Sequence, residues 1–256
     1  MSSASFAVFS LYAILVLIGL YAGSLTTRVI FRLSLPKGSR RGPSFCPNCG
    51  KHLRATDQIP IISYILLRGR CRRCGQRISP MYPATELFGA FMVTFVSWYF
   101  GFSLHGYIVC LASLLLYALA VIDLKCMRLP DVLTGSLAVL GVLDIFVIST
   151  PDPLSRAAGA ACALILLGVR FLTRGGIGIG DVKLTAAAGI LLGYDNTLAA
   201  LGFAVLTGAV AAAVYKFNGV KKMPFGPWLC AGIFAAALYG EELTSLYLNF
   251  IRFVAY

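Results

Sequence analysis

Charge is scarce in this chain, and acid is scarcest. Asp and Glu number 10 against 22 Lys and Arg; the four types together make up 12% of 256 residues, while 59% are hydrophobic. A water-soluble domain cannot clothe itself in so little charge, and the balance is that of a polytopic membrane protein embedded in a lipid bilayer. A basic stretch ahead of the first apolar run is also missing. "MSSASFAVFSLYAILVLIGLYAG" starts without Lys or Arg, and its apolar run of about 20 residues reads as a retained first span rather than a cleaved signal. Aromatic residues are not interleaved with the basic ones, which removes the stacking platforms of a nucleic-acid binder, so no nucleic-acid partner is expected. Nor does a strand precede the glycines of "GGIGIG", so they do not read as a nucleotide- or methyl-donor loop.

What is present is a series of apolar runs. They predict an all-α membrane protein of about eight transmembrane helices, at roughly 6–27, 82–101, 107–122, 132–149, 156–172, 182–193, 197–215 and 228–249. The sixth is short. One long connection, 28–80, interrupts them, which divides the chain into a first span (1–27), a small domain (28–80) and a second membrane region (81–256). Twelve of the 22 basic residues lie between Arg28 and Arg77. The positive-inside rule places that block in the cytoplasm and the N-terminus in the periplasm. Counting spans then puts 123–131, 173–181 and 216–227 on the cytoplasmic side, with Lys125, Arg128, Arg174, Lys216, Lys221 and Lys222. The opposite loops hold Arg156, Asp152 and Asp195.

This count brings two acids to one membrane face. Asp123 ends the third span in "AVIDLKCMRLPDVLT", and Asp181 opens the sixth after "GIGIG". A carboxylate at membrane depth is costly and marks a candidate functional site. Asp181 also suits a helix N-terminus, where it would cap free N–H groups. Asp123 has no such role, since the dipole at a helix C-terminus disfavours it. Two close carboxyls cannot both ionise cheaply, so one keeps its proton; the ionised one activates water while the other polarises a carbonyl. Gly178 and Gly180 would let the backbone before Asp181 leave helical geometry and approach a substrate strand. Lys125 and Lys183, each two residues past an acid, point away from it and snorkel. Asp131 reads as an N-cap or first-turn acid of the fourth span. Glu86 reads as a first-turn acid or as a residue serving substrate or methyl transfer. Asp144 has no evident role, and Cys110, Cys126, Cys162 and Cys230 read as small core residues.

The remaining cysteines are different. Cys46 and Cys49, then Cys71 and Cys74, form two C-x2-C pairs separated by 21 residues, the pattern of a tetrahedral zinc site in a segment too small to fold on its own core.

The motifs together resemble the type IV prepilin peptidases: "GLYAGSLTTRVIFRL", "CPNCGKHLRATDQIPIISYILLRGRCRRCGQRISPMYPATEL", "IDLKCMRLPDVLT", "GIGIGDVKL" and "PFGPWLCAG" occur in that family's order. The resemblance implies a membrane aspartic endopeptidase of the bacterial inner membrane with its active site facing the cytoplasm. It implies cleavage of the basic leader from prepilins and pseudopilins, with Asp123 and Asp181 as the catalytic pair. It implies methylation of the new N-terminal residue by S-adenosylmethionine. One departure is visible: "GSLTT" stands where the family usually has Gly-Ser-Phe-Leu-Asn, a stretch tied there to methylation and substrate fit. A peptidase without methyl transfer, and a proton-coupled transporter using the paired aspartates, are the alternatives.

Overall fold

The computed structural model describes residues 3–35, 44–218, 223–240 and 242–245. These residues form helices and no strand; the only β pairing among them is two isolated bridges, Phe45 with His52 and Arg70 with Arg77. The helices are α1 (Ser3–Ser34), α2 (Ile62–Leu66), α3 (Met81–Tyr99), α4 (Leu104–Cys126), α5 (Asp131–Ile145), α6 (Pro153–Ala161), α7 (Ala163–Leu172), α8 (Ile179–Phe217) and α9 (Gly226–Leu238). A 3-10 turn at Ala55–Gln58 precedes α2. Among the described residues four stretches are long and apolar enough to cross a membrane: Ala7–Ser34, Leu104–Cys126, Pro153–Leu172, which joins α6 and α7, and Ile179–Phe217. Residues 246–249 of the last expected span, and Lys221 and Lys222, lie outside the described residues.

The chain divides into two compact units, Met1–Cys110 and Leu111–Tyr256. In the first, α1 and α3 pack together. Gly19 lies against Ala90 and Gly23 against Thr85 and Glu86, so closely that a Cβ on either glycine would fall 2.5 Å from the opposing backbone. Small residues four apart let two helix backbones meet where lipid supplies no hydrophobic drive for association. The order of these contacts makes the pair antiparallel. α1 runs on to Ser34, past the expected end at residue 27. The hydroxyls of Thr26, Thr27 and Ser34 donate to the carbonyls four residues back, so these polar groups are satisfied within the helix.

In the second unit α8 is the hub, with α5, α6, α7 and α9 all packed on it. Leu119, Ile122, Leu137, Leu184, Leu229 and Ile233 fill the centre. The sixth and seventh expected spans are the two halves of α8, divided where Gly193 leaves helical geometry with φ 75° and ψ −178°. Only glycine holds that conformation without strain. A Cβ there would also meet Pro151 at 2.7 Å. Groups freed at the break are met from α6. The Ser155 hydroxyl accepts the Tyr194 N–H, and the Arg156 guanidinium donates to the carbonyls of Ile190 and Leu191, and also to that of Pro151 in the connection before α6.

Arg156 thus corrects its reading as a loop residue. It is buried and forms a 3.0 Å ion pair with Asp144 of α5, whose side chain is fully buried. The Asp144 carboxylate neutralises a cation whose remaining donors serve the break in α8. Asp152 is the N-cap position of α6, and Asp195 is an exposed helical residue just beyond the break.

Candidate active site and metal centre

Asp123 lies in the last turn of α4 and Asp181 in the first turn of α8, and both are buried. The fold brings them within Coulombic reach of one another. Each carboxyl meets the N-terminus of a helix. Asp181 is the third residue of α8, and its carboxyl lies beside Gly178, the N-cap residue. Asp123, at the unfavourable end of its own helix, accepts the N–H of Gly226, the first residue of α9, at 3.1 Å. Free N–H groups and the dipole of a helix start favour a negative charge there. Gly226 is needed for this approach, because a Cβ would lie 2.5 Å from the Asp123 carboxyl oxygen. One turn further on, the Cys230 thiol is buried within electrostatic range of both acids.

The Gly226 contact was not foreseen from the sequence. Its signal was the Pro227 that follows in "PFGPW", a residue that marks the first turn of a helix. Gly178 and Gly180 differ in role. Gly178 is the extended N-cap, whereas Gly180 is already helical and packs on Leu129. The irregular backbone therefore ends at Gly178, where the Asp181 N–H donates to the Gly178 carbonyl and the first turn closes. Arg170 of α7 donates to the Ile177 carbonyl and ties the loop down. Lys183 does not simply extend toward solvent; its ammonium lies 2.7 Å from the Asp131 carboxylate at the start of α5. Both are well exposed, and such a pair contributes little stability.

Glu86 belongs to the other unit. It is the sixth residue of α3, not a first-turn acid, and its carboxylate accepts the Ile61 N–H at 2.7 Å and a bond from the buried Ser24 hydroxyl.

The four cysteines converge. Their sulfurs all lie within 4.8 Å of one another, with Cys46 and Cys74 3.9 Å apart. A tetrahedron of thiolates about zinc has an edge of about 3.8 Å, from Zn–S distances of about 2.3 Å. The two halves are built alike. In one, the Gly50 N–H reaches the Cys46 carbonyl and the Cys46 N–H the Lys51 carbonyl; in the other, Gly75 reaches Cys71 and Cys71 reaches Gln76. Gly50 and Gly75 both have positive φ, 66° and 71°. The repeat C-x2-C-G is thus a pair of equivalent knuckles. The Gln76 N–H and the Asn48 amide hold the Cys74 thiol down to about 6, which favours the thiolate a metal needs. These residues fit a structural zinc ion, which would supply the closure that a domain of this size lacks. Cys71→Ser removes one of four ligands and should lower zinc per chain measured by atomic emission; full stoichiometry in the variant would remove the metal assignment.

Residues 17–100 match the bacterial peptidase A24 N-terminal domain, and residues 110–213 match the type IV leader peptidase family. A prepilin leader peptidase/N-methyltransferase of Bacillus subtilis is 36% identical over 244 residues, covering 93% of this chain and 98% of that protein. Proteins of the same name from Legionella pneumophila and Pseudomonas aeruginosa are 34% and 32% identical, covering 81% and 82% of this chain and 76% of each relative. No solved structure matches. With both halves matched and near-complete overlap with the Bacillus relative, the chain belongs to the type IV leader peptidase family.

Proposed function

We propose that this chain removes the basic leader from prepilins and pseudopilins at the cytoplasmic face of the inner membrane, with Asp123 and Asp181 as its catalytic pair, and N-methylates the residue thus exposed. The observation that carries the reading is the meeting of two buried carboxyls, distant in sequence, at the starts of α8 and α9.

In this reading one carboxylate takes a proton from water while the other, protonated, donates a hydrogen bond to the scissile carbonyl. The water oxygen adds to the carbonyl carbon. As the C–N bond breaks, the nitrogen takes a proton from the dyad and leaves as the new N-terminal amine. The mechanism requires one proton shared by the pair, an arrangement favoured when like charges lie close together. S-adenosylmethionine would supply the methyl group to that amine, and no residue of this chain is assigned to hold it.

The domain division at 28 and 81 and the topology of eight passages belong to the same proposal. The passages are α1, α3, α4, α5, α6 with α7, the two halves of α8, and a last one begun by α9, with the N-terminus periplasmic. Charge supports that orientation, since the connections counted as cytoplasmic are the basic ones.

The test is to incubate the purified chain with one prepilin and S-adenosylmethionine and to weigh the products. The expected result is a released leader and a mature chain heavier by one methyl group. Cleavage without added mass would reduce the enzyme to a peptidase, and an intact prepilin would defeat the reading altogether.

A further inference from the structure

α2 is a five-residue helix whose apolar residues are turned outward. Ile62, Ile65 and Leu66, at positions i, i+3 and i+4, share one face and are 55%, 66% and 75% exposed. Ile59, one turn earlier, is 42% exposed. The adjoining residue points elsewhere, since the Tyr64 ring packs over Gly69. An unpartnered apolar face of this kind needs an occupant.

Two observations identify it. The first is depth. The residue entering α2, Ile61, has φ 59°, and its N–H is bonded to Glu86 in the second turn of α3. Glu86 in turn lies beside Gly23 of α1, where the antiparallel pair comes together. α2 is therefore fastened beside the start of α3, which in the proposed topology is where the chain re-enters the bilayer rather than out in the aqueous phase. The second is charge. Residues 28–80 hold twelve Lys and Arg and one acid, Asp57, which is paired with Arg72. Arg54, Arg68, Arg70 and Arg73 are exposed on the segments around α2. An apolar face flanked in sequence by exposed cations is the composition of an in-plane membrane anchor, and cations favour the anionic leaflet. A basic leader peptide would be repelled by the same charges.

We propose that α2 is an interfacial anchor that lays Ile62, Ile65 and Leu66 into the boundary between headgroups and acyl chains of an anionic bilayer, holding the cysteine domain against the membrane. The inference rests on α1 and α3 crossing the bilayer and not on the peptidase chemistry.

The full chain carrying Ile65→Trp is reconstituted into nanodiscs whose lipids bear bromine either near the headgroup or near the chain ends. The signal is the fluorescence difference from the parent chain, with Gln76→Trp as the water-facing reference. The introduced indole at 65 should emit at shorter wavelength than at 76. It should be quenched more by shallow than by deep bromine, by on the order of twofold. The quenching should weaken when phosphatidylglycerol is replaced by phosphatidylcholine. Leu66→Trp, on the same face, should repeat the pattern. Long-wavelength, unquenched emission from both variants would mean that the face meets water. Short-wavelength emission without quenching would mean that protein covers it, a second copy included. Quenching indifferent to lipid charge would remove the role of the arginines. Each of these overturns the proposal.

Discussion

Replacing either Asp123 or Asp181 with Asn will lower leader cleavage by on the order of a thousandfold. Asn is the informative substitution because it preserves the local structure. At 123 its amide oxygen still accepts the Gly226 N–H, and at 181 the backbone N–H still donates to the Gly178 carbonyl, so α9 and α8 keep their starts. What is lost is ionisation. An amide can neither take a proton from water nor hold the shared one, and neither partner can substitute for the other. Because the two act as a unit, the double variant should be little worse than either single one. The measurement is initial rate on a purified prepilin with each variant matched for detergent-solubilised yield. A single variant within about tenfold of the parent would rule out its aspartate as a catalytic group.

The largest effect on stability is expected at the far end of the first half of α8. Arg156→Met leaves the Asp144 carboxylate fully buried without its cation, a change that typically costs about 3–5 kcal/mol. It also removes the donor to the Ile190, Leu191 and Pro151 carbonyls. The double variant Asp144→Leu/Arg156→Met has no orphaned charge and should recover part of the loss, leaving the cost of the carbonyls at the break. Thermal unfolding of the three proteins in one detergent makes the comparison. Equal midpoints for Arg156→Met and the parent would show that the pair is not what holds α8 at Gly193.

The sequence carried the site further than it carried the scaffold. Asp123 and Asp181 stood out because acids are rare here and membrane depth makes them conspicuous, and the cysteines because their spacing has few other uses. Gly226 could not be found in the same way. Its contribution is a backbone N–H, which every residue except proline possesses, and only the fold decides which one meets a carboxylate. Arg156 and Asp144 were hidden for another reason. Read singly, one looked like a loop cation and the other like a stray acid, twelve positions apart. Their meaning lies in pairing at the break of α8, and that break reduced in the sequence to a short gap between two apolar runs. The last gap is length: periodicity shows where apolar runs lie, but α1 runs past its hydrophobic stretch through residues whose hydroxyls are satisfied on its own backbone.

The position of Gly193 also fixes how far a substrate must travel. From Asp181 to Gly193 is twelve residues of helix, or about 18 Å at 1.5 Å per residue, against a hydrocarbon layer about 30 Å thick. If the bend lies at the outer surface, as the proposed topology has it, the arm is too short to lift its acid to the inner surface. The scissile bond must then be drawn down below the headgroups, and hydrolytic water must follow it into a recess in the leaflet.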